Sequence, residues 1–367
     1  MPQVRRTMVQ SFRMLTRTVL LAALSAAALL LAKPAQAAEK TSFKVAWSIY
    51  VGWMPWDYAN QSGILKKWAD KYGIKIELTQ MDYIESINQY TAGQFDGCVM
   101  TNMDMLTIPA AGGVDSTALI VGDYSNGNDG VVLKGAGKKL ADIKGQSVNL
   151  VELSVSHYLL ARGLDSVKLA ERDIKVVNTS DADIVSAFTT ADVTAVVTWK
   201  PQLSEITAMP KNTLVFDSSK IPGEILDLMV VNSATLKAYP KLGKALVGAW
   251  YETLALMQAR DAKATAALEI MAKASGTDLA GFKGQLATTY LYATAPSAVA
   301  AAKSPDLVKK MDLVRTFSFN HGLLGEGAKT VDVVGIEFPG GATLGNKASI
   351  KMRFDTSYMQ MAADGKL

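Results

Sequence analysis

Cysteine is almost absent from this 367-residue sequence, with Cys98 standing alone. A single thiol excludes an intrachain disulfide and any cysteine-based metal cluster. Its place in the apolar stretch beside Val99 and Met100 points to a buried, inert side chain. Histidine is nearly as scarce: His157 and His321 are the only two. They lie far apart in sequence, with His321 expected in a different lobe, and this argues against a metal site. A strong charge of one sign is lacking too. The formal net charge is +4, but Arg5, Arg6, Arg13, Arg17 and Lys33 all fall in the first 37 residues, which hold no acidic residue. Without that segment the charge is −1. Such a chain gives no reason to expect nucleic acid or an anionic membrane as partner. Arginine is sparse beyond residue 37, with only Arg162, Arg172, Arg260, Arg315 and Arg353.

A long hydrophobic run is also missing. Val19–Ala32 is 14 residues of mostly Leu and Ala, short of the roughly 20 that span a bilayer. Preceded by arginines and followed by Ala35-Gln36-Ala37, it reads as a signal peptide cleaved before Ala38. Export to the periplasm is the expectation. No cysteine stands at the cleavage site to carry a lipid, so the mature protein is expected to diffuse freely as a monomer. Removing residues 1–37 leaves 330, enough for two domains of ordinary size.

What remains alternates between two periodicities. Phe43, Val45, Trp47 and Ile49 follow the period of a strand. A loop at Tyr50 to Trp56 leads through Pro55, suited to a first helical turn. Ile64, Leu65, Trp68 and Tyr72 then share a helical face that Gly73 stops. The pattern predicts a strand at Ile74 to Leu78, a helix over 83–91, a strand over 97–101, a helix near 103–111 and a strand over 118–121. A polar stretch from Asp123 to Gly130 reads as a loop or hinge. A second unit follows: a strand over 147–151, a helix over 156–164, a strand over 174–177, a helix opening near Asp181 and a strand over 194–199. A further irregular stretch, 217–223, leads to a strand over 226–231 and about a hundred largely helical residues. Short strands over 331–338 and 349–353 and a terminal helix end the chain.

Alternation of this kind argues for an α/β fold with parallel sheets flanked by helices. Two crossings between two units predict a discontinuous lobe, residues 38–126 with 226–367, and a second lobe, 127–225. Two lobes joined by two short segments make a cleft that closes on a ligand. A single α/β domain carrying an insertion is the plainer alternative.

Particular residues carry a resemblance. Gly52-Trp53-Met54-Pro55-Trp56 followed by Gly63-Ile64, Gln94-Phe95-Asp96-Gly97 before a strand, and Ala195-Val196-Val197-Thr198-Trp199-Lys200-Pro201 before a helix resemble the nitrate/taurine/sulfonate-type solute-binding proteins of ABC importers. The resemblance runs from about residue 42 to at least 325. Ser154 to Arg162, Met100 to Asp104 and Ile221 to Asp227 are more similar to the branch associated with urea carboxylase. The resemblance implies a two-lobed periplasmic binding protein of the class II type, each lobe a mostly parallel sheet flanked by helices. It also implies a permease and its ATPase as partners, contacted at the membrane, and a small nitrogen-rich solute, urea or guanidinium, as ligand.

Ligands of open α/β sheets sit beyond the carboxyl ends of strands. The strand ends present Tyr50, Trp53 and Trp56, then Thr101, Asn102 and Asp104, then Asp123. Glu152, Ser154 and His157 follow the first strand of the second unit, Trp199 ends a later one, and Glu224 and Asp227 lie at the return crossing. That set is aromatic and acidic, and no arginine falls in it. An anion such as nitrate or a sulfonate usually wants an arginine fork or a lysine. Lys200 is the one nearby cation, although a helix N-terminus can bind an anion unaided. Guanidinium fits better, because it stacks on indole faces while its N–H groups meet carboxylates. Urea adds a carbonyl that needs a donor such as Asn102 or Ser154. The plainer roles are packing for the tryptophans, capping for Asp104, a solvated hinge for Glu224 and Asp227, and a satisfied structural histidine for His157. The same fold carries thiamine-pyrimidine synthases, but those use a cysteine-rich segment and active-site histidines. No catalytic residue, cofactor or metal is therefore expected. A sensory receptor that docks when liganded is the remaining alternative.

Overall fold

The computed structural model describes residues 39–367; the expected signal peptide lies outside them. The strand period at Phe43 becomes β1 (Ser42–Trp47), and the helical face at Leu65 becomes the helix Ile64–Lys71. That helix ends where Gly73 takes a φ of 65°, a conformation that costs glycine little. The chain then builds β2 (Lys75–Gln80), the helix Tyr83–Thr91 and β3 (Gly97–Thr101). After the short helix Asn102–Met105 come five residues of wider π-helix, Leu106–Ala110, around Pro109. Pro109 lacks the N–H that a regular α-turn would use. β4 (Ser116–Ser125) and β5 (Asp129–Lys134) follow.

The polar stretch at 123–130 is therefore not one loop. Asp123 to Ser125 belong to β4, and Asp129 and Gly130 open β5. Pairing explains the difference: Asp123, Tyr124 and Ser125 register with Leu291, Tyr290 and Thr289 of β11 (Thr289–Leu291). Backbone pairing overrides local polarity there.

Further along are β6 (Ser147–Leu150), the helix Val155–Ser166, β7 (Lys175–Asn178), β8 (Ala195–Trp199), β9 (Asn212–Asp217) and β10 (Leu226–Asn232). Helices dominate from Ser233 to Asn320, the longest being Pro240–Gln258. β12 (Gly335–Glu337), β13 (Thr343–Leu344), β14 (Ile350–Phe354) and the helix Ser357–Ala363 complete the chain.

Two sheets result. One runs β13-β12-β14-β4-β10-β3-β1-β2, with β11 beside β4; the other runs β7-β6-β8-β5-β9. The chain thus passes between sheets twice, after β4 and after β9. The strands that follow those passages, β5 and β10, run antiparallel to both of their neighbours. β1 pairs parallel with β2 and β3, and β6 parallel with β7 and β8. The final strands extend the first sheet, since β14 lies parallel to β4. Residues 41–367 form one compact unit. Cys98 is buried in the core as expected, and burial pushes its thiol up to about 12. Among the described residues, no helix is long and apolar enough to cross a membrane, and no group of acidic, histidine and cysteine side chains could hold a metal ion.

Candidate functional site

The antiparallel entry of β5 and β10 determines where chemistry gathers. Their N-terminal ends lie level with the carboxyl ends of β3 and β8. Asp227 registers with Thr101 on one side and Asp123 on the other, and Asp129 registers with Trp199. Between the two sheet edges lies a small hollow, ≈ 250 Å³ with the solvent-open space at its mouth, lined by Tyr50, Trp53, Tyr83, Thr101, Asp129, Val155, Trp199, Ile225 and Asp227.

Its walls are aromatic. Tyr50 meets Trp53 edge-on at 5.1 Å, Trp53 lies tilted to Tyr83 at 5.7 Å, and Tyr83 meets Trp199 edge-on at 5.4 Å. The ring series wraps from the segment after β1 to the end of β8, and so joins the two sheets. Hydrogen bonds hold the two sides together around it. The Trp199 indole donates to the Ile49 carbonyl at 3.2 Å, the Val155 N–H to Oδ2 of Asp104 at 3.3 Å, and the Tyr83 N–H to Asp181 at 3.3 Å.

Its chemistry is acidic. Asp104, Asp123, Asp129 and Asp227 are all buried. Asp104 accepts from the Thr101 hydroxyl at 2.8 Å and from the Tyr83 hydroxyl. Asp123 accepts from the Tyr50 hydroxyl at 3.1 Å, and Asp129 from the Ser125 hydroxyl at 2.5 Å. Three carboxyl oxygens have no partner among the described residues: Oδ1 of Asp104, Oδ2 of Asp123 and Oδ2 of Asp227. Burial pushes Asp104 up to about 6 and Asp129 up to about 7. Asp123 and Asp227, neighbours on adjacent strands, rise as well, Asp123 to about 7 and Asp227 well above the ordinary carboxylate range. Burial is the main cause, and for Asp227 the charge of Asp123 adds to it. Two carboxylates so close cannot both ionise without a cation between them. Lys200 is the cation that faces Asp129; its ammonium donates to the Thr288 hydroxyl at 2.9 Å.

The strand-end candidates divide. Tyr50, Trp53, Trp199 and Asp227 line the cavity. Asp123 and Asp104 flank it through their bonds to Tyr50 and Tyr83. Asn102 instead fastens the return segment, donating to the Glu224 carbonyl at 3.0 Å and accepting from the Leu226 N–H at 2.9 Å. Ser154 caps the helix Val155–Ser166 by accepting from the Ser156 N–H. Trp56 faces the other way, stacked at 5.0 Å on Trp250 of the helix Pro240–Gln258. Glu224 is clamped by both ends of the Arg162 guanidinium, at 2.9 and 3.0 Å, and by the Tyr158 hydroxyl at 2.8 Å. Glu152 is exposed.

The two histidines, distant in sequence, meet at one carboxylate. Nδ1 of His157 accepts from the Leu153 N–H, which leaves Nε2 toward Glu171 at 3.4 Å; Nδ1 of His321 lies 3.2 Å from the same Glu171. These contacts hold the Glu171 carboxyl below its ordinary value, the approach of His157 contributing most. Tyr83, Asp129, Val155 and Ile225 line the cavity without having been candidates. A search of strand ends overlooks Tyr83, which opens a helix, and Asp129, which opens an antiparallel strand.

A larger cavity, ≈ 450 Å³, is lined by Val121, Leu226, Tyr292, Ala302, Asp306 and Lys310 among others. Its charges answer each other, Lys310 pairing with Asp306 at 2.9 Å. It holds none of the unpartnered carboxyl oxygens of the first cavity.

The NMT1/THI5-like family model matches residues 68–264, more than half of the sequence. The chain belongs to the NMT1/THI5-like family. No curated protein matches it. Among solved structures it is similar to the alkanesulfonate-binding protein SsuA from Xanthomonas axonopodis pv. citri bound to MOPS. That likeness has a TM-score of 0.65 at 19% identity, over 79% of this chain and 96% of that one. The periplasmic aliphatic sulphonate binding protein SsuA from Escherichia coli gives 0.62 at 16%, over 78% and 94%. The periplasmic nitrate-binding protein NrtA from Synechocystis PCC 6803 gives 0.54 at 12%, over 90% and 99%. At these identities the likeness is one of fold: two sheets flanked by helices, arranged as in periplasmic binding proteins.

Proposed function

We propose that this family member is the periplasmic solute-binding component of an ABC importer, and that it captures a small planar nitrogen-rich solute, the guanidinium cation ahead of neutral urea. The observation that carries the ligand reading is an imbalance between donors and acceptors. The hydroxyls of Tyr50, Tyr83 and Thr101 and the indole N–H of Trp199 are already committed to protein acceptors. Oxygens of Asp104, Asp123 and Asp227 are left over. A ligand that supplies N–H groups and positive charge answers that surplus, and its flat faces suit rings such as Trp53 and Trp199. Urea supplies N–H groups but no charge, so it leaves the buried carboxylates uncompensated, a costly arrangement. Nitrate or a sulfonate would place negative charge against Asp129 and Asp227. Arg162, the arginine of the second sheet's first helix, is spent on Glu224.

The transport role is supported by the family and by likeness to proteins whose names describe periplasmic binding. In this reading residues 38–126 with 226–367 close against 127–225, and the bonds from Trp199 to Ile49 and from Val155 to Asp104 are those made on closure. A permease and its ATPase then receive the ligand from the closed form.

Thermal melting in the presence of each candidate solute tests the ligand reading. Guanidinium at a hundredfold excess over its dissociation constant stabilises by about 2.7 kcal/mol, and raises the melting temperature by a few degrees. A rise with nitrate or taurine and none with guanidinium would sink the cation reading.

A further inference from the structure

Asp123 and Asp227 stand side by side on β4 and β10, paired in register and buried. Each has its Oδ2 without a hydrogen-bond partner among the described residues. Several charged or titratable groups face the pair. The Tyr50 hydroxyl after β1 holds Oδ1 of Asp123. Asp129 at the start of β5 adds negative charge to both carboxyls, and Asp104 at the end of β3 adds it to Asp129. Tyr292, just after β11, faces Asp123. Lys200 acts on Asp129, and its ammonium is held at Thr288. Among the described residues, no cation is a main influence on Asp123 or Asp227.

We infer that this pair makes the site a cation-for-proton exchanger, in which one proton shared by Asp123 and Asp227 leaves for solvent as the cationic ligand binds. The inference rests on the cation reading above and deepens it. In the ligand-free protein the two carboxyls share a proton, because two adjacent buried carboxylates cannot both ionise. The incoming cation donates N–H hydrogen bonds to the two Oδ2 atoms and neutralises the second charge. The proton is then in surplus, and water or buffer takes it. Charge balances, with one positive charge entering as one leaves, and no covalent bond changes except the O–H that ionises.

The arrangement selects by charge class. A monocation carrying N–H groups on more than one edge replaces the proton at no net electrostatic cost. A neutral molecule of the same shape gains nothing by expelling it. Burial raises both members of the pair above the ordinary carboxylate range, so periplasmic acidification would loosen the ligand.

The test is calorimetric titration of the purified protein with guanidinium chloride near neutral pH, in two buffers of very different ionisation enthalpy, repeated across about three pH units. Release of close to one proton per guanidinium is expected, with affinity rising about tenfold per pH unit below the pair's titration point. Asp227→Asn leaves one carboxylate beside an amide, so proton release should fall toward zero and the pH slope flatten. If that variant does not fold, the wild-type proton count still decides. Guanidinium binding with buffer-independent enthalpy and no pH slope would overturn the exchange while leaving the cation reading intact. Failure of guanidinium to bind at any pH, with urea or an anion binding instead, would overturn both.

Discussion

Gly52 shows how tightly the acidic corner is built. A Cβ placed there would lie 2.4 Å from Cε1 of Tyr50 and 2.7 Å from Oδ2 of Asp123. Gly52→Ala must therefore displace the donor or the carboxylate, at an overpacking cost of about 1–3 kcal/mol. Guanidinium affinity is expected to fall at least about tenfold, the equivalent of 1.4 kcal/mol, while the circular dichroism of the fold is unchanged; wild-type affinity in the variant would contradict this placement of Asp123. Trp53→Leu keeps an apolar wall but removes a ring face, and a cation–π contact contributes about 0.5–2 kcal/mol. Titration should show binding weakened by a factor of a few to about thirty. The carboxyls also set a pH trend in stability. Their folded values, about 6 for Asp104 and about 7 for Asp129, lie above the unfolded value, and burial raises Asp227 well above it too. The folded state therefore holds extra protons, and its stability declines as pH rises from about 4 through 7. The melting temperature of the ligand-free protein should fall across that window, and guanidinium should restore it most at the alkaline end.

At this scale the sequence was legible in type more than in position. Aromatic and acidic residues near strand ends could be read directly, and the fold lines one cavity with Tyr50, Trp53, Trp199 and Asp227. Helical phase was hidden. Trp56 is three residues beyond Trp53, yet it turns toward Trp250. Glu224 reads as a free carboxylate until Arg162, 62 residues earlier, is folded against it.

Among the elements, the two passages between the sheets are tied together by Ser218. Its hydroxyl accepts from the Gly127 N–H at 2.8 Å and lies 2.6 Å from the Ser125 hydroxyl, which in turn donates to Asp129. The same hydroxyl therefore touches both passages and reaches an acidic residue of the cavity through Ser125. Ser218→Ala leaves the half-buried Gly127 N–H without its acceptor, a cost of about 1 kcal/mol. Urea unfolding should show that loss with an unchanged m-value, together with weaker guanidinium binding. A stability within 0.5 kcal/mol of wild type would mean that the passages do not depend on this tie. Regular elements were the easier part to read. The helix Tyr83–Thr91 and the strand Gly97–Thr101 fall where periodicity and Gly93 place them. The stretch 123–130 misled because buried aspartates in paired strands break the usual polarity rule, and such breaks gather at functional sites.

For the whole molecule, alternation of strands and helices made the fold class readable, whereas the strand directions after each passage depend on how the chain returns. β5 and β10 enter antiparallel, and that single feature brings Asp129 and Asp227 level with Trp199 and Thr101. At this scale the proposal is that the paired sheets enclose a site for a small planar cation. The most direct measurement is calorimetric titration of the purified protein with guanidinium, urea, nitrate and taurine at equal ionic strength and mildly alkaline pH. Binding of guanidinium is expected, with urea at least about a hundredfold weaker, a difference of about 2.7 kcal/mol, and no heat from either anion. Tight binding of nitrate or taurine with none of guanidinium would contradict it.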